Sequence, residues 1–487
     1  MKTRQKVEFF GRDDLLSQLN DLWGKRVSSF VTCRGRRRVG KSTLIEEFAR
    51  RSNATFIKVE GLKPNSSMTN ADELAFFATK LAVQTNCDAT APANWYAAFA
   101  LLSSVIKNNE RTVVLLDEIS WMGHFDHVFA EVLKSAWDDL LKKHPHLIFV
   151  VCGSVSSWIK DNIIDNGAYV GRRSLDIVVP ELPLKECVKF WGNHATRLSP
   201  REIIDILSVT GGVPRYLEEI KPSLSAAENI KRLCFMPKSC LREDFDDMFR
   251  DVITNRPKYV GTILRLFVDG PKSVSEVAAA LKVGRSGDIS EAIEILCEAG
   301  FLTPENKYNP ETGKELREVR YRLKDNYSRF YLKYIEPNKD AIDDGAYAFT
   351  SLDQLPNIDG VLGLAFETLV INNYRELLPY MHIGAALISS AGPYRRHATK
   401  GPRGRVGCQI DLLIQTRKSL WFVEVKRKHE IGREVITEVD ERVQAIKRPK
   451  EVSAKTALVY DGNLSAVVAS DGYFDALIPF DALLGLS

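Results

Sequence analysis

One short motif near the N-terminus constrains the fold of this chain more than any other feature. Residues 31–42 match the phosphate-binding pattern G-x-x-x-x-G-K-[ST], with Gly35, Gly40, Lys41 and Ser42 at the defined positions. A β-branched run precedes the motif, and a stretch with helical apolar spacing follows it. The loop therefore joins a strand to a helix N-terminus, where backbone N–H groups favour phosphate binding.

The chemistry of phosphate binding assigns a task to each part of this loop. Backbone N–H groups wrap the phosphates, Lys41 neutralises the β and γ oxygens, and the Ser42 hydroxyl ligates Mg²⁺. We therefore expect a nucleotide and Mg²⁺ as cofactors. The expected nucleotide contacts of the loop are Gly35, Arg36, Arg37, Arg38, Val39, Gly40, Lys41, Ser42 and Thr43.

A nucleotide-hydrolysing site also needs a carboxylate at the end of a buried strand. Residues 113–116 form a continuous apolar run of the kind found in central parallel strands, and Asp117 and Glu118 follow it. We expect Asp117 to orient the Mg²⁺ shell and Glu118 to polarise the attacking water. The alternative is that both residues only cap the following helix.

Two further segments offer polar groups to the same site. The strand-like residues 147–152 are followed by Gly153 and Ser154, and Ser154 is a candidate sensor of the γ-phosphate. Arg172 and Arg173 precede another apolar strand, where an arginine stabilises phosphoryl-transfer charge in its own subunit or in a neighbouring one. An arginine that acts on a neighbouring subunit requires a homo-oligomer, and the sequence leaves that question open. Ordinary surface ion pairs are the alternative for both arginines.

Several motifs together resemble the archaeal-type ATPase family of the STAND and AAA-like P-loop NTPases, over about residues 7–225. They are Phe10-Gly11-Arg12, the loop at 35–42, Leu115-Leu-Asp-Glu, Cys152-Gly-Ser and Thr210-Gly-Gly-Val-Pro-Arg-Tyr-Leu. The resemblance implies ATP binding and hydrolysis on a parallel sheet with a helical lid, from which Pro214 approaches the nucleotide. Ser42 stands where many relatives have Thr, and the hydroxyl is kept.

Composition limits the remaining possibilities. A chain of 487 residues is expected to form roughly three domains of about 150 residues each. No apolar run approaches the roughly 20 residues needed to span a bilayer, and the N-terminus lacks the apolar region of a secretory signal. Eight cysteines without a C-x-x-C pair argue against a disulfide framework or a clustered zinc site. We expect a cytoplasmic protein that does not bind membranes.

The middle of the chain predicts a small helical domain. Helical spacing at 258–268, 274–281 and 289–299 is followed by two strand-like runs within 301–323, and this order is typical of a winged helix. Such a domain binds DNA or serves a structural or regulatory role. The acidic residues of the third helix favour the second role. Residues 336–355 lack periodicity and are the best linker candidate.

The C-terminal third is locally basic. Residues 391–450 contain 15 Lys or Arg against 7 Asp or Glu, an excess larger than the net charge of +4 for the whole chain. This distribution suggests a polyanion such as nucleic acid as partner. A solvated basic face is the alternative.

A predicted β-hairpin in this region carries a set of charged residues. Strand-like runs at 408–415 and 420–426 flank a polar turn. Glu424 and Lys426 are two apart and point to one face, and Asp411 on the neighbouring strand can join them. The two carboxylates and a backbone carbonyl suit Mg²⁺, which would activate water while Lys426 orients the nucleophile.

Glu367 lies upstream on a predicted amphipathic helix. The ordered set Glu367, Asp411 and Glu424-x-Lys426 resembles the PD-(D/E)xK nuclease superfamily, and residues 356–487 look like the domain of unknown function commonly fused to this ATPase. The resemblance implies a restriction-endonuclease-like fold with Glu367, Asp411 and Glu424 as metal ligands. The proline of the superfamily name is absent. Gln444 either lines this site or is an exposed helical residue.

The sequence thus predicts an α/β protein with four segments. They are an ATPase with a helical lid (1–225), a winged helix (226–335), a linker (336–355) and a nuclease-like domain (356–487). One functional hypothesis is an ATPase whose nucleotide state controls a Mg²⁺-dependent nuclease acting on DNA. The other is an ATP-dependent switch that binds DNA or a partner protein without cutting.

Overall fold

The chain forms two compact units, Met1–Leu182 and Pro183–Ser487. The computed structural model describes residues 8–153, 156–253, 259–284, 287–305, 308–311, 314–315, 319–396, 398 and 407–486. The first unit ends before residues 183–225, which the sequence analysis assigned to the ATPase and its lid.

A five-stranded parallel sheet forms the centre of the first unit. Its strands are β1 (Ser29–Arg34), β2 (Thr55–Glu60), β3 (Thr112–Asp117), β4 (Leu147–Gly153) and β5 (Arg173–Val178). They lie in the order β2-β3-β4-β1-β5. The strands predicted from apolar runs are confirmed, because strands covered on both faces need continuous apolar sequence.

Helices cover both faces of this sheet. In the described part of the unit they are α1 (Asp13–Asp21), α2 (Lys41–Arg51), α3 (Asn70–Thr85), α4 (Trp95–Val105), α5 (Ile119–Met122), α6 (Phe129–Asp139) and α7 (Ser156–Ile159). One apolar core lies between the sheet and helices α3, α4 and α6. A second core lies between the opposite face and helices α1 and α2.

The second unit begins with helices and ends with a sheet. Its described helices are α8 (Leu184–Cys187), α9 (Pro200–Thr210), α10 (Pro214–Leu217), α11 (Ala226–Cys234), α12 (Cys240–Ile253), α13 (Val260–Leu266), α14 (Val274–Leu281), α15 (Gly287–Glu298), α16 (Asn326–Phe330), α17 (Lys339–Asp343), α18 (Ile358–Asn372), α19 (Glu434–Ala445), α20 (Ala466–Ser470) and α21 (Phe480–Leu484). Its described strands are β6 (Lys272–Ser273), β7 (Leu302–Pro304), β8 (Arg320–Leu323), β9 (Ile388–Arg396), β10 (Cys408–Thr416), β11 (Ser419–Ile431), β12 (Ser453–Leu464) and β13 (Ala476–Pro479).

The middle segment contains the three helices that periodicity predicts. They are α13, α14 and α15, and the small antiparallel sheet after them has the order β6-β8-β7. The sheet therefore has a third strand, β6, beyond the two that were predicted. Arg317, where the second predicted strand starts, lies outside the described residues. Asp288, Glu291 and Glu294 are exposed on α15.

The segment predicted as a linker is packed instead. Residues 336–355 form α17 and several 3-10 turns, and Ile342 is buried. Lys339 pairs with Asp246 at 2.6 Å, and the Tyr347 ring stacks on Phe235 at 5.3 Å. The proline, aspartate and glycine residues of this segment predict a loop from the sequence alone. The turns are held by partners on α11 and α12 that local periodicity does not reveal.

The C-terminal sheet has the order β13-β12-β11-β10-β9. The predicted hairpin is confirmed, since β10 and β11 pair antiparallel with Leu412 opposite Val423. Strands β11, β12 and β13 run parallel, and α19 connects the first two of them. The buried Val435 and Val439 of α19 belong to the core on one face of this sheet.

Other expectations can be checked against the described residues. All eight cysteines are free, and five of them are buried. Within the described ranges, the helices are too short or too polar to cross a membrane.

Glu73 provides a test of the first unit through pH. This helix α3 residue is buried, and both carboxylate oxygens accept the Leu62 N–H at 3.1 Å. Burial raises the pKa of Glu73 to about 7, although the Leu62 hydrogen bonds oppose the shift. The folded pKa exceeds the unfolded value, so the stabilising contribution is complete below the unfolded pKa and is lost as pH rises through about 7.

We expect Glu73→Gln to remove this loss of stability at high pH. At about pH 8.5 the variant should gain about 1–2 kcal/mol in free energy of unfolding, and below the unfolded pKa, at about pH 4, it should match the wild type. Thermal and urea unfolding of the full chain at both pH values measure the difference. The neighbouring Asp72→Asn is the control: hydrogen bonds from Thr69 lower the pKa of Asp72, so this variant should gain nothing at high pH. Equal stability of Glu73→Gln and wild type at high pH contradicts the assignment.

Candidate functional site

The phosphate loop connects the end of β1 to the start of α2, and its backbone requires glycine. Gly35 has φ +147°, and a Cβ there would lie 2.6 Å from the carbonyl oxygen of Val179. Gly40 has φ +85° at the N-terminus of α2. Side chains rarely adopt these angles, so both glycines of the motif are explained by backbone geometry.

Lys41 lies across the loop and is buried. Its Nζ donates hydrogen bonds to the carbonyl oxygens of Gly35 at 3.0 Å and Arg36 at 3.1 Å. An ammonium group carries three donors, so these two bonds hold the side chain in place and a further donor can serve a phosphate oxygen. The predicted role of Lys41 toward the phosphates stays a prediction.

The N-terminal Gly11-Arg12 element supports the same loop. Arg12 is buried, and its guanidinium donates to the carbonyl oxygens of Val39 and Glu181, each at 3.2 Å. The loop is thereby fixed from outside by a side chain 27 residues before Val39. Sequence reasoning used Arg12 only as part of a family resemblance.

The structure brings Ser42 and Asp117 together. Asp117 ends β3 and is buried, and its Oδ2 accepts a hydrogen bond from Ser42 Oγ at 2.6 Å. Its Oδ1 accepts the Glu118 N–H at 3.2 Å. A hydroxyl and a carboxylate side by side are hard oxygen donors of the kind that Mg²⁺ prefers, so this pair fits the predicted metal.

Sequence reasoning missed Lys58 at this site. Its Nζ lies 3.1 Å from Asp117 Oδ2 and 3.2 Å from Glu46 Oε1. Burial disfavours the charged form, but the attraction of Asp117 and Glu46 raises the pKa of Lys58. In the sequence, the indication was a lysine between the apolar residues Ile57 and Val59 of a strand. Only the pairing of β2 with β3 shows which carboxylate this lysine contacts.

Glu118 has an unusual backbone conformation. Its φ is +51°, in the left-handed region, directly between β3 and α5. Its carbonyl oxygen accepts the Trp121 N–H at 2.8 Å, and a Cβ on Gly61 would lie 2.9 Å from that oxygen. Non-glycine residues in such conformations are concentrated at functional sites. The predicted role of Glu118 toward water stays a prediction.

The remaining residues predicted for the ATPase site differ in where they lie and what they contact. Ser154 lies outside the described residues. Arg172 donates to Asp138 at 2.8 Å and holds the pKa of that carboxyl well below its usual range, so the ion-pair alternative describes it. Arg173 donates to the carbonyl oxygen of Ile164 at 3.1 Å. Pro214 is the first residue of α10 in the second unit.

The predicted charged residues of the C-terminal hairpin also meet. Asp411 and Glu424 are buried on adjacent strands, and Asp411 Oδ2 accepts the Val425 N–H at 3.0 Å. Lys426 Nζ lies 2.9 Å from Glu424 Oε1, which confirms that Glu424 and Lys426 share a face. The face is the one that α19 covers, since Phe422 belongs to the same core as Val435 and Val439.

Helix α19 adds two residues that sequence reasoning missed. Arg442 pairs with Glu424 Oε2, and Lys426 donates to Glu438 Oε2 at 2.7 Å. Glu438 and Arg442 are four apart and therefore lie on one face of the helix. The result is a chain of alternating charges, Glu438, Lys426, Glu424 and Arg442, which we call the charge ladder. Gln444 is exposed and donates to Asp440 at 2.5 Å instead.

Glu367 on α18 lies near Asp411. Burial raises the pKa of Glu367 to about 7, and the negative charge of Asp411 adds to the shift. Burial also raises the pKa of Asp411. Arg322, Arg329 and Arg395 oppose the shift of Glu367.

These carboxylates are only a partial match to a metal site. Glu367 and Asp411 repel one another in a buried place, which suits a divalent cation, whereas Glu424 is engaged by Lys426 and Arg442. Across the described ranges, no three His, Cys, Asp or Glu side chains are grouped so that they could hold a metal ion. The metal role of Glu367, Asp411 and Glu424 therefore stays a prediction.

Comparisons with known proteins give a family match in the N-terminal part and a relative along most of the chain. Residues 9–220 match a family described as an ATPase domain predominantly from Archaea. An uncharacterized protein, MJECL04 of Methanocaldococcus jannaschii, is 23% identical over 433 residues, which cover 88% of this chain and 89% of that protein.

One solved structure shares the fold with a TM-score of 0.51. The Walker-type ATPase PABY2304 of Pyrococcus abyssi matches with a TM-score of 0.51 at 17% identity, over 68% of this chain and 99% of that one. The ORC2 protein of Aeropyrum pernix, in complexes with ADPNP and ADP, matches with a TM-score of 0.42 at 14% identity, over 72% of this chain and 98% of that one. The parallel sheet and phosphate loop therefore lie within a segment, 9–220, that matches an archaeal-type ATPase domain.

Proposed function

We propose that nucleotide binding and hydrolysis in the ATPase domain control a Mg²⁺-dependent, nuclease-like site in the C-terminal domain that acts on DNA. The observation that carries this proposal is the hairpin arrangement of Asp411, Glu424 and Lys426 beside Glu367. The ATPase domain binds and hydrolyses the nucleotide, and the fused C-terminal domain contributes a second set of buried acids and a lysine.

In the ATPase domain, the chain's own residues bind and orient the substrate. The loop residues 35–43 wrap the phosphates, Lys41 contacts the terminal phosphates, and Ser42 with Asp117 would hold Mg²⁺. The metal would neutralise charge that develops on the phosphate oxygens. Glu118 orients and polarises the attacking water. Ser154 is proposed to sense the γ-phosphate, and Pro214 is proposed to approach the nucleotide from the helical lid.

In the C-terminal domain, Asp411, Glu367 and Glu424 would hold Mg²⁺, which supplies Lewis-acid chemistry there. Lys426 is proposed to orient the water that attacks the phosphodiester. The basic excess of residues 391–450 supports a nucleic-acid substrate. The acidic exposed face of α15 supports a structural or regulatory role for the winged-helix segment rather than contact with phosphates.

One observation favours a second candidate, an ATP-dependent switch that binds DNA or a partner protein without cleavage. Both carboxylate oxygens of Glu424 are engaged, one by Lys426 and the other by Arg442. A metal would have to displace these two cations from a carboxylate that is itself almost fully removed from solvent. If that displacement does not occur, the site binds but does not cut.

The ATPase assignment predicts the result of removing the Lys41 ammonium. Lys41→Ala should weaken nucleotide binding at least tenfold, because a charge-assisted hydrogen bond to phosphate is worth about 1.5–3 kcal/mol. Titration of a fluorescent ADP analogue in the presence of Mg²⁺ measures the affinity. Lys107→Ala is the matched control, since Lys107 is an exposed lysine of the same unit that pairs with Glu110. Unchanged affinity in Lys41→Ala refutes the phosphate-loop assignment.

The nuclease hypothesis predicts metal-dependent cleavage that depends on the charge ladder. Wild-type protein should cut DNA with Mg²⁺, and Glu424→Gln and Lys426→Met should each reduce the rate by about 100-fold, the range seen when an acid–base group is removed. Lys428→Met is the matched control on the same strand, where Lys428 is half exposed and lies 3.9 Å from Glu434. Single- and double-stranded DNA and RNA, with ATP, a non-hydrolysable analogue or no nucleotide, cover the substrate classes.

The same assay separates the two candidates. Cleavage that is lost in both variants and kept in Lys428→Met supports the nuclease. If wild type cleaves no substrate under any nucleotide condition but binds DNA or a partner in a nucleotide-dependent way, the switch is supported instead.

A further inference from the structure

We infer that helix α9 transmits the nucleotide state of the ATPase domain to the C-terminal carboxylate site, through a group of four charged residues that fixes α9 to β11. The group, here called the α9 clamp, consists of Arg201, Asp205, Arg427 and Asp461. The inference rests on the proposed function, because it describes how that site is regulated.

The α9 clamp joins α9 to two strands of the C-terminal sheet. Arg427 of β11 pairs with Asp205 of α9, and its Nε lies 3.4 Å from Asp461 Oδ2 of β12. Arg201 Nη1, one turn before Asp205, lies 3.0 Å from the same Asp461 oxygen. Two arginines and two aspartates thus alternate, with no net charge.

The clamp is removed from solvent at its centre. The side chain of Arg427 is 8% exposed and that of Asp461 is 12% exposed. Buried charges of this kind contribute little net stability, but removing one partner is costly because the other charge stays buried and uncompensated. The clamp therefore acts as a specific connection: α9 cannot shift along β11 without breaking a buried ion pair.

Strand β11 leads directly from the clamp to the charge ladder. Arg427 follows Lys426, and consecutive Cα atoms are about 3.8 Å apart, so a displacement of Arg427 changes the position of Lys426. Helix α9 also packs against α18, which carries Glu367, and against α16, which carries Arg329. Helix α9 thus contacts two of the three elements that carry the predicted site residues: α18 by packing and β11 through the clamp.

The sequence position of α9 connects it to the ATPase. The family match covers residues 9–220 and so includes α9, although α9 packs within the second unit. The helix ends at Thr210, next to Gly211 with φ +59°, and Pro214 follows. A helix of 11 residues is a rigid rod of about 16 Å. A movement at its Gly211 end therefore also displaces Asp205 and Arg201.

Hydrogen exchange of β11 in the full-length protein tests this inference without requiring cleavage. We expect a non-hydrolysable ATP analogue to change the exchange of peptides covering residues 419–431 at least twofold in wild type. Asp205→Asn should abolish this response while ATP turnover is retained. Asp205→Glu, which keeps the charge, should restore at least half of it. Arg201→Gln changes a half-exposed side chain and should give an intermediate response.

Asp343→Asn is the matched control. It also breaks an arginine–aspartate pair of the second unit, to Arg242, but one that does not touch β11. This variant should keep the full response. If wild-type β11 shows no nucleotide response, or if Asp205→Asn keeps it, the inference is overturned.

Cleavage assays on the same variants separate this inference from the nuclease hypothesis. If wild type does not cut nucleic acid but its β11 responds to nucleotide in a way that needs Asp205, the nuclease hypothesis fails and the transmission by α9 stands. If wild type cuts, the ratio of rates with and without nucleotide should fall toward one in Asp205→Asn. An unchanged ratio counts against the inference.

Discussion

The hydrogen bond between Ser42 and Asp117 is the contact on which the ATPase site depends. It joins the first turn of α2 to the end of β3, although β4 lies between β3 and β1 in the sheet. The contact is made because α2 connects β1 to β2 and must cross both intervening strands. The order of the sheet, rather than either residue alone, brings the hydroxyl and the carboxylate within 2.6 Å.

Both candidate sites have a cation beside a buried carboxylate. Asp117 is paired with Lys58, and Glu424 is paired with Lys426 and Arg442. A buried carboxylate without a counter-charge costs several kcal/mol, and in each site a cation lies beside the acid. Glu367 and Asp411 differ, because they lie near one another and their pKa values are raised.

Local sequence was sufficient to predict the parts of the fold that depend on local pattern. The parallel strands, α2 and the hairpin at 408–426 follow from apolar periodicity and turn residues. Lys58, Glu438 and Arg442 could not be predicted in the same way, because their partners are set by which strands and helices adjoin. The packed turns of 336–355 were missed for a related reason: their short helices are stabilised by distant side chains rather than by helix propensity.

These packed turns bear on how the protein can be divided. Lys339 and Asp343 pair with α12, and the Tyr334 hydroxyl donates to the carbonyl oxygen of Pro356, where the predicted C-terminal segment starts. Asn326 also donates to the carbonyl oxygen of Ala365 within α18. A fragment starting at residue 356 would lose these contacts and expose the apolar surface beneath them. The second unit is thus better regarded as one cooperative folding block than as a string of separable modules.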